Sequence, residues 1–479
     1  MKEKSIIKHF AFIGAGTVVN MLVGFVITPI LTRLVGPAEY GQYSIFNMYA
    51  SIALMVLCMG FDQALIRYYY RHDSRDYQRT LLKECCFLPV ICTLLIGMIV
   101  NILSWTGLVN FEFEPLIMTL LTILVFFQVL NRIDLILLRV SYQTKLYSML
   151  QVLTKLLFAG FAIAGCLLIE AQNMFVLTTA SVVSYATVTI VGIGSQRELW
   201  DFRKIRERYD INRKELYRYA FPFIVSMGIT TIFQAIDKIS LNRYYSYEEV
   251  GIYSSAITLA HVFAIVQTTF GAIWAPMVVE HYEKEPNDRA FYQKGFRTMT
   301  FVMFLIGSSL ILCKDLFVLL LGENYRGAGA MIPFLSLSPI MLVISDTTMI
   351  GITISKKSYL QIIVSAVACI TNIAGNTLLV PVYGGIGAAI STGLSYIVFF
   401  AMRIVLSNRY FPMNWGMGKF FAITILFLGY ALYNSFCDFG IMTVLGYAII
   451  LAVLIFMHRD VIREGCKLAK SIFHNGFED

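Results

Sequence analysis

Charge is scarce: only 14% of the 479 residues are Asp, Glu, Lys or Arg, against 58% hydrophobic. A soluble fold of this length could not hide that much apolar surface, so the chain is predicted to be a polytopic membrane protein. Long polar stretches are also missing. No predicted loop exceeds roughly 25 residues, short of the about 50 that an independent soluble domain needs, so no loop houses a separate catalytic domain. The nine cysteines form no CxxC and no Cys/His cluster, and most lie in apolar runs. They read as packing residues, neither a disulfide framework nor a metal site. A signal-peptide cleavage site is absent as well: basic MKEKSIIKHF runs straight into a long apolar stretch, which reads as an uncleaved first span.

What is present is apolar runs near the bilayer-spanning length of about 20 residues. They fall near 10–35, 41–66, 85–105, 115–138, 147–169, 174–194 and 219–241, then near 251–280, 296–321, 331–354, 358–380, 384–407, 417–437 and 439–457. The predicted class is therefore an all-α membrane protein of about 14 transmembrane helices. With a cytoplasmic N-terminus, 31 of the 38 Lys and Arg fall in inner loops, at the termini or in residues flanking them. That matches the positive-inside rule and places both termini in the cytoplasm. The same distribution explains the net charge of +8 without nucleic acid as a partner.

A gapless internal echo organises the chain. Leu31–Ser44, LTRLVGPAEYGQYS, returns 210 positions later as LNRYYSYEEVGIYS, Leu241–Ser254, with six of fourteen positions identical. Among the identities are Arg33/Arg243, Glu39/Glu249 and Gly41/Gly251. A duplication with six spans per unit is parallel, because the second copy starts on the same side as the first. The division expected is 1–194 and 219–410 as two six-helix bundles, 195–218 as a basic connector on the anionic cytoplasmic surface, and 411–479 as two extra helices with a tail.

Polar groups in lipid are costly, so those inside spans face a partner helix or a water-filled cavity. Candidates for a cavity lining are Asn20, Gln151, Gln234, Asp237 and Asn372, although interhelical hydrogen bonding is the ordinary role of such residues. Seven cations lie outside the inner set: Arg33, Arg132, Lys155, Lys238, Arg243, Lys314 and Arg326. Snorkelling at an outer span end is an adequate account of Arg33, Arg243, Lys314 and Arg326, and the favoured one for the last two. Lys155, about eight residues or 12 Å into its span, is too deep for that. A cavity with surplus positive charge suits an anion such as phosphate; the competing reading is a neutral Lys155 or an Arg132–Asp134 ion pair. Asp62, Asp346 and His261 are further ionisable groups within spans. Pro29, where the polar stripe of the first span ends, is a candidate hinge.

The stretches TPILTRLVGPAEYGQYS, QAIDKISLNRYYSYEEVGIYSSA, FGAIWAPMVVEHY, LLLGENYRGAGAMIP and NIAGNTLLVPVYGGIGAAISTGLSYIV occur in that order. Together they resemble the polysaccharide-transporter, Wzx-like branch of the multidrug/oligosaccharidyl-lipid/polysaccharide (MOP) exporter superfamily. The resemblance implies two six-helix bundles in a V plus two helices, and flipping of a polyprenyl-diphosphate-linked oligosaccharide across a bacterial plasma membrane. It implies no catalytic residue, no cofactor and no metal, with a coupling ion, H+ or Na+, left open. The partners implied are the lipid-linked glycan, membrane lipid, and a glycan polymerase with its chain-length protein. Substrate-binding roles transfer by position to Arg33, Arg132, Lys155, Lys238 and Arg243. A multidrug or cation antiporter of the same fold and a peptidoglycan-precursor flippase are the alternatives.

Overall fold

The computed structural model describes the chain apart from residues 1–2, 170–172, 206, 208, 356, 358 and 464–479. Of the basic residues assigned to the inner side, Lys2, Arg206, Arg208, Lys356, Lys467 and Lys470 therefore lie outside the described residues. Contacts divide the chain into two compact units, Met1–Gly251 and Ile252–Asp479.

The first unit holds α1 (Glu3–Leu34), α2 (Pro37–Cys58), α3 (Phe61–Tyr68), α4 (Arg75–Trp105), α5 (Pro115–Val140), α6 (Thr144–Leu168) and α7 (Asn173–Ser195). It continues with α8 (Arg197–Trp200), α9 (Arg213–Ala220), α10 (Pro222–Tyr244) and the start of α11 (Tyr247–Ala260). The second unit completes α11 and adds α12 (Ala264–Lys284), α13 (Arg289–Leu312), α14 (Lys314–Val318), α15 (Ala328–Leu335), α16 (Leu337–Thr348), α17 (Ile350–Ile354), α18 (Tyr359–Tyr410), α19 (Met417–Phe436) and α20 (Ile441–Met457).

Twelve stretches among the described residues are long and apolar enough to span a bilayer. One of them, α18, is two helices joined at Gly384, whose φ of 55° and ψ of −131° leave the helical region. Resolving it into two and adding the shorter apolar Ile441–Met457 recovers the fourteen spans read from the sequence. Within them the backbone is more broken than hydropathy suggests. The predicted second span, 41–66, turns at Met59 and Gly60, both left-handed with φ of 50° and 75°. Gly60 is needed there, since a Cβ would lie 2.2 Å from the Ala220 carbonyl oxygen. The predicted tenth span, 331–354, is three helices in series, α15 to α17.

The division by contacts also differs from the expected break at 195–218, because α10 packs on α2 and so lies with the first unit. The connector is docked on the helices beside it. Arg213 pairs with Glu84 of α4 at 2.8 Å and Arg71 with Glu215 at 3.2 Å. Arg79 donates to the Glu198 carbonyl at 2.8 Å. Arg213 and Glu215 of the connector thus meet charged partners on the protein, while Arg197, Arg203, Lys214 and Arg218 are exposed.

One packing contact in the first unit follows the internal echo. A Cβ on Gly41 would lie 1.7 Å from the carbonyl oxygen of Tyr247, and a Cβ on Gly251 would lie 2.0 Å from that of Pro37. Pro37 and Tyr247 are themselves 210 apart, like Gly41 and Gly251. The contact is therefore reciprocal in the manner of an isologous interface: each copy's glycine meets the other copy's carbonyl. Small residues allow such backbone approach between membrane helices, where dispersion rather than the hydrophobic effect holds helices together.

Candidate functional site

Ionisable side chains inside the spans define the site. Arg132 lies on α5, and its guanidinium donates through Nε at 3.1 Å and Nη2 at 2.9 Å to Oδ2 of Asp62 on α3. The turn at Met59–Gly60 carries Asp62 to this position, where it is only 2% exposed while the Arg132 side chain remains 45% exposed. Gln63 steadies the carboxylate, donating from its backbone N–H to Oδ1 and from Nε2 to Oδ2. The pairing expected with Asp134 is therefore corrected: the acid that meets Arg132 is Asp62, and the remaining guanidinium N–H groups keep donor capacity for a ligand.

Asp134, fully buried, does something else. It accepts from Gln196 Nε2 at 2.7 Å and from Trp200 Nε1 at 3.3 Å, tying the start of the connector to α5. Glycine at 192 permits this approach, since a Cβ there would sit 1.9 Å from Asp134 Oδ2.

Lys155 lies on α6, exposed, and has no hydrogen-bond or ion-pair partner among the described residues. Arg132 stands eight residues before the end of α5, and Lys155 eleven after the start of α6. At 1.5 Å per residue these are about 12 and 16 Å from the same interhelical turn, so the two cations lie within one helical turn of each other in depth. Gln151, one turn before Lys155, donates to Tyr147 Oη at 2.9 Å. Arg33 is exposed in the last turn of α1, and Arg243 is exposed in the last turn of α10 with its guanidinium 5.9 Å from the Tyr244 ring centre. On α10, Gln234 is exposed, Asp237 buried and Lys238 half-buried. Asn20 is half-buried on α1, and α1 runs helical through Pro29.

Other candidates serve packing. Asn372 is fully buried and donates to Thr392 Oγ1 at 3.1 Å, while Asn376 reaches Ser391 Oγ at 3.1 Å. These bonds clasp the two halves of α18 across the Gly384 turn. His261 Nε2 lies 2.8 Å from Ser338 Oγ. Two assignments change. Lys314, expected to snorkel, is buried with its ammonium 2.9 Å from Asp315. Arg403, counted on the inner side, is buried in α18, donating from Nη1 to Asp346 Oδ1 at 2.7 Å and Ser345 Oγ at 2.6 Å. The signal that would have found both Arg132–Asp62 and Arg403–Asp346 is scarcity: so few opposite charges lie at span depth that they must meet.

These charges sit in a helical fold shared with solved transporters. A structure titled as the lipid II flippase MurJ, inward closed, superposes with a TM-score of 0.66 at 12% identity, covering 94% of this chain and 99% of that one. An inward-facing multidrug resistance MATE family transporter of the MOP superfamily gives 0.62 at 14% identity, covering 82% and 94%. A Haemophilus influenzae protein described as an uncharacterized membrane protein is 21% identical over 287 residues, and the match spans 66% of its length. The class is a multi-pass membrane protein with the fold of the MOP exporter superfamily. Residues 30–329 match the family described as polysaccharide biosynthesis protein, and the chain belongs to that family.

Proposed function

We propose that the chain is a flippase that carries a polyprenyl-diphosphate-linked oligosaccharide across the bacterial plasma membrane, with both termini cytoplasmic and no covalent chemistry. The observation that carries this reading is a pair of cations within one helical turn in depth: Lys155 without a partner among the described residues, and Arg132 held in place by Asp62 yet half exposed. Because Asp62 offsets the charge of Arg132, Lys155 supplies the surplus. An anion there would meet a guanidinium fork held by Asp62 and the exposed ammonium of Lys155, both of which make charge-assisted hydrogen bonds to phosphate oxygens. The glycan and diphosphate need such a polar route, because crossing bare hydrocarbon leaves their polar groups unsatisfied. Membership of the polysaccharide biosynthesis family supports a glycan cargo. The fold shared with a structure titled lipid II flippase supports a flippase role.

The test is glycan export in cells lacking the native protein. Lys155→Gln and Arg132→Gln should each lower export, and Lys155→Arg should keep more of it than Lys155→Gln. Full export by a stable Arg132→Gln, Lys155→Gln double variant would overturn the cationic route.

A further inference from the structure

The first unit contains an apolar cavity of about 420 Å³ between α2, α4 and α5. Its walls include Ala53 and Leu57 of α2, Gly97 and Val100 of α4, and Leu121 and Val125 of α5; Glu112 and Phe113 of the α4–α5 loop stand at its rim. Protein interiors pack with few voids larger than a water molecule, and this volume falls within the range of about 300–1,000 Å³ seen for ligand pockets.

The chemistry of the walls selects the ligand. Thr93 donates to the Pro89 carbonyl at 2.7 Å and Thr122 to the Thr119 carbonyl at 2.8 Å. Glu112, for its part, accepts from Tyr49, Asn242 and Tyr247. With its polar groups satisfied by the protein, the cavity offers a ligand only hydrocarbon contact, and such cavities stay dry and take apolar guests. Access is from the bilayer. The outer face of α4 is bare, with Leu95, Met98, Ile99 and Ile102 all at least half exposed. Ile96, beside Gly97, lines the cavity and is itself 46% exposed, so the cavity wall reaches the bare face of α4.

Position separates a single-chain lipid from a two-chain one. Val125 is seven residues before Arg132 on α5, about 10 Å, so a chain lying in the cavity can begin at a phosphate held by Arg132. A phospholipid would have to splay its two chains to place one here, whereas a single-chain lipid would not. Building on the flippase reading above, we propose that the cavity receives the phosphate-proximal part of the prenyl chain of the lipid-linked substrate. The chain comes from bilayer hydrocarbon rather than from water, so the cavity holds it by dispersion contacts and fixes its position, which the cations alone do not.

Photolabelling of the full-length wild-type protein tests this. In phosphatidylcholine nanodiscs, a prenyl phosphate with a diazirine in its first isoprene units should label peptides within 93–125. Labelling confined to other segments would overturn the proposal. Equal labelling of the cavity by a diazirine-bearing phosphatidylglycerol would also overturn it, by showing an acyl-chain site, and would leave the export reading untouched. Conversely, full export by the Arg132→Gln, Lys155→Gln variant together with prenyl labelling at 93–125 would sink the cationic route and keep the chain site.

Cavity filling gives a second measurement. Gly97→Phe should lower retention of undecaprenyl phosphate in native mass spectra relative to the wild type, because the added ring takes the volume the chain would occupy. Gly97→Ala, whose Cβ would sit an ordinary 3.5 Å from Thr122, should retain it. Unchanged retention in a stably folded Gly97→Phe would count against the site. If that variant does not fold, the wild-type label decides.

Discussion

Replacing Gly41 with alanine would bring a methyl carbon to 1.7 Å from the Tyr247 carbonyl oxygen, and Gly251→Ala would bring one to 2.0 Å from that of Pro37. Real Cβ contacts essentially never fall below 3.0 Å, so the crossing must open by at least 1.3 Å in the first variant and 1.0 Å in the second. A flexible side chain could swing away, but a helical carbonyl cannot. The two backbones must part, giving up dispersion along the whole crossing, and overpacking of this kind typically destabilises by about 1–3 kcal/mol. Alanine's better helix propensity returns at most about 1 kcal/mol.

The reciprocity of the contact makes the prediction sharper. Separation of the same two segments relieves both clashes, so the double variant should cost about as much as the worse single one. The coupling is then of the order of 1–3 kcal/mol, within the range for residues in direct contact. Stability would be read from denaturant unfolding in detergent for the two singles and the double. Gly24→Ala serves as the control, since a Cβ there meets nothing within 4 Å; it should be neutral or stabilising. The reasoning fails if Gly41→Ala behaves like Gly24→Ala, or if the two single costs simply add.

Arg132→Gln should destabilise by about 1–3 kcal/mol, because it leaves the Asp62 carboxylate buried without its cation. Adding Asp62→Asn should restore the melting temperature but not glycan export, which separates the structural role of the pair from its role toward substrate. In the loop between α12 and α13, a hydrogen bond from His281 at 2.9 Å holds the Asp288 carboxyl below its ordinary value of 3.8, with backbone N–H groups of Ala290 and Phe291 assisting. A depressed carboxyl contributes stability above its unfolded value and loses it as pH falls through the folded one. Acid titration should therefore destabilise the wild type below about pH 4 more steeply than Asp288→Asn, and identical acid limbs would count against the pair. Reporter fusions after Arg75 and Lys204 should read cytoplasm and those after Asn110 and Asp438 the outside; the reverse at Lys204 would invert the topology.

Span number and helix type were legible because they depend on composition alone: lipid demands runs of apolar residues wherever the chain crosses, whatever they touch. Partners were not legible, because they depend on breaks that hydropathy averages away. Asp62 reaches Arg132, 70 residues distant, only through the left-handed turn at Met59 and Gly60. Arg403, seven residues from the end of α18, reads as an inner flank until the Gly384 turn brings its helix alongside Gln361, which it meets at 3.3 Å, while its other bonds go to Ser345 and Asp346. The internal echo lies between these cases. Its six identities were plain, yet they look like evidence of ancestry rather than of contact. The physical link is that where two copies of a segment meet reciprocally, each position near the centre faces its own copy or a near neighbour of it, so a bulky residue there would clash twice and only a small one fits. A glycine identical in both copies and flanked by bulkier identities, Glu39/Glu249 before it and Tyr43/Tyr253 after it, is therefore the sequence signature of such a crossing, and Gly41 with Gly251 is where the structure places it.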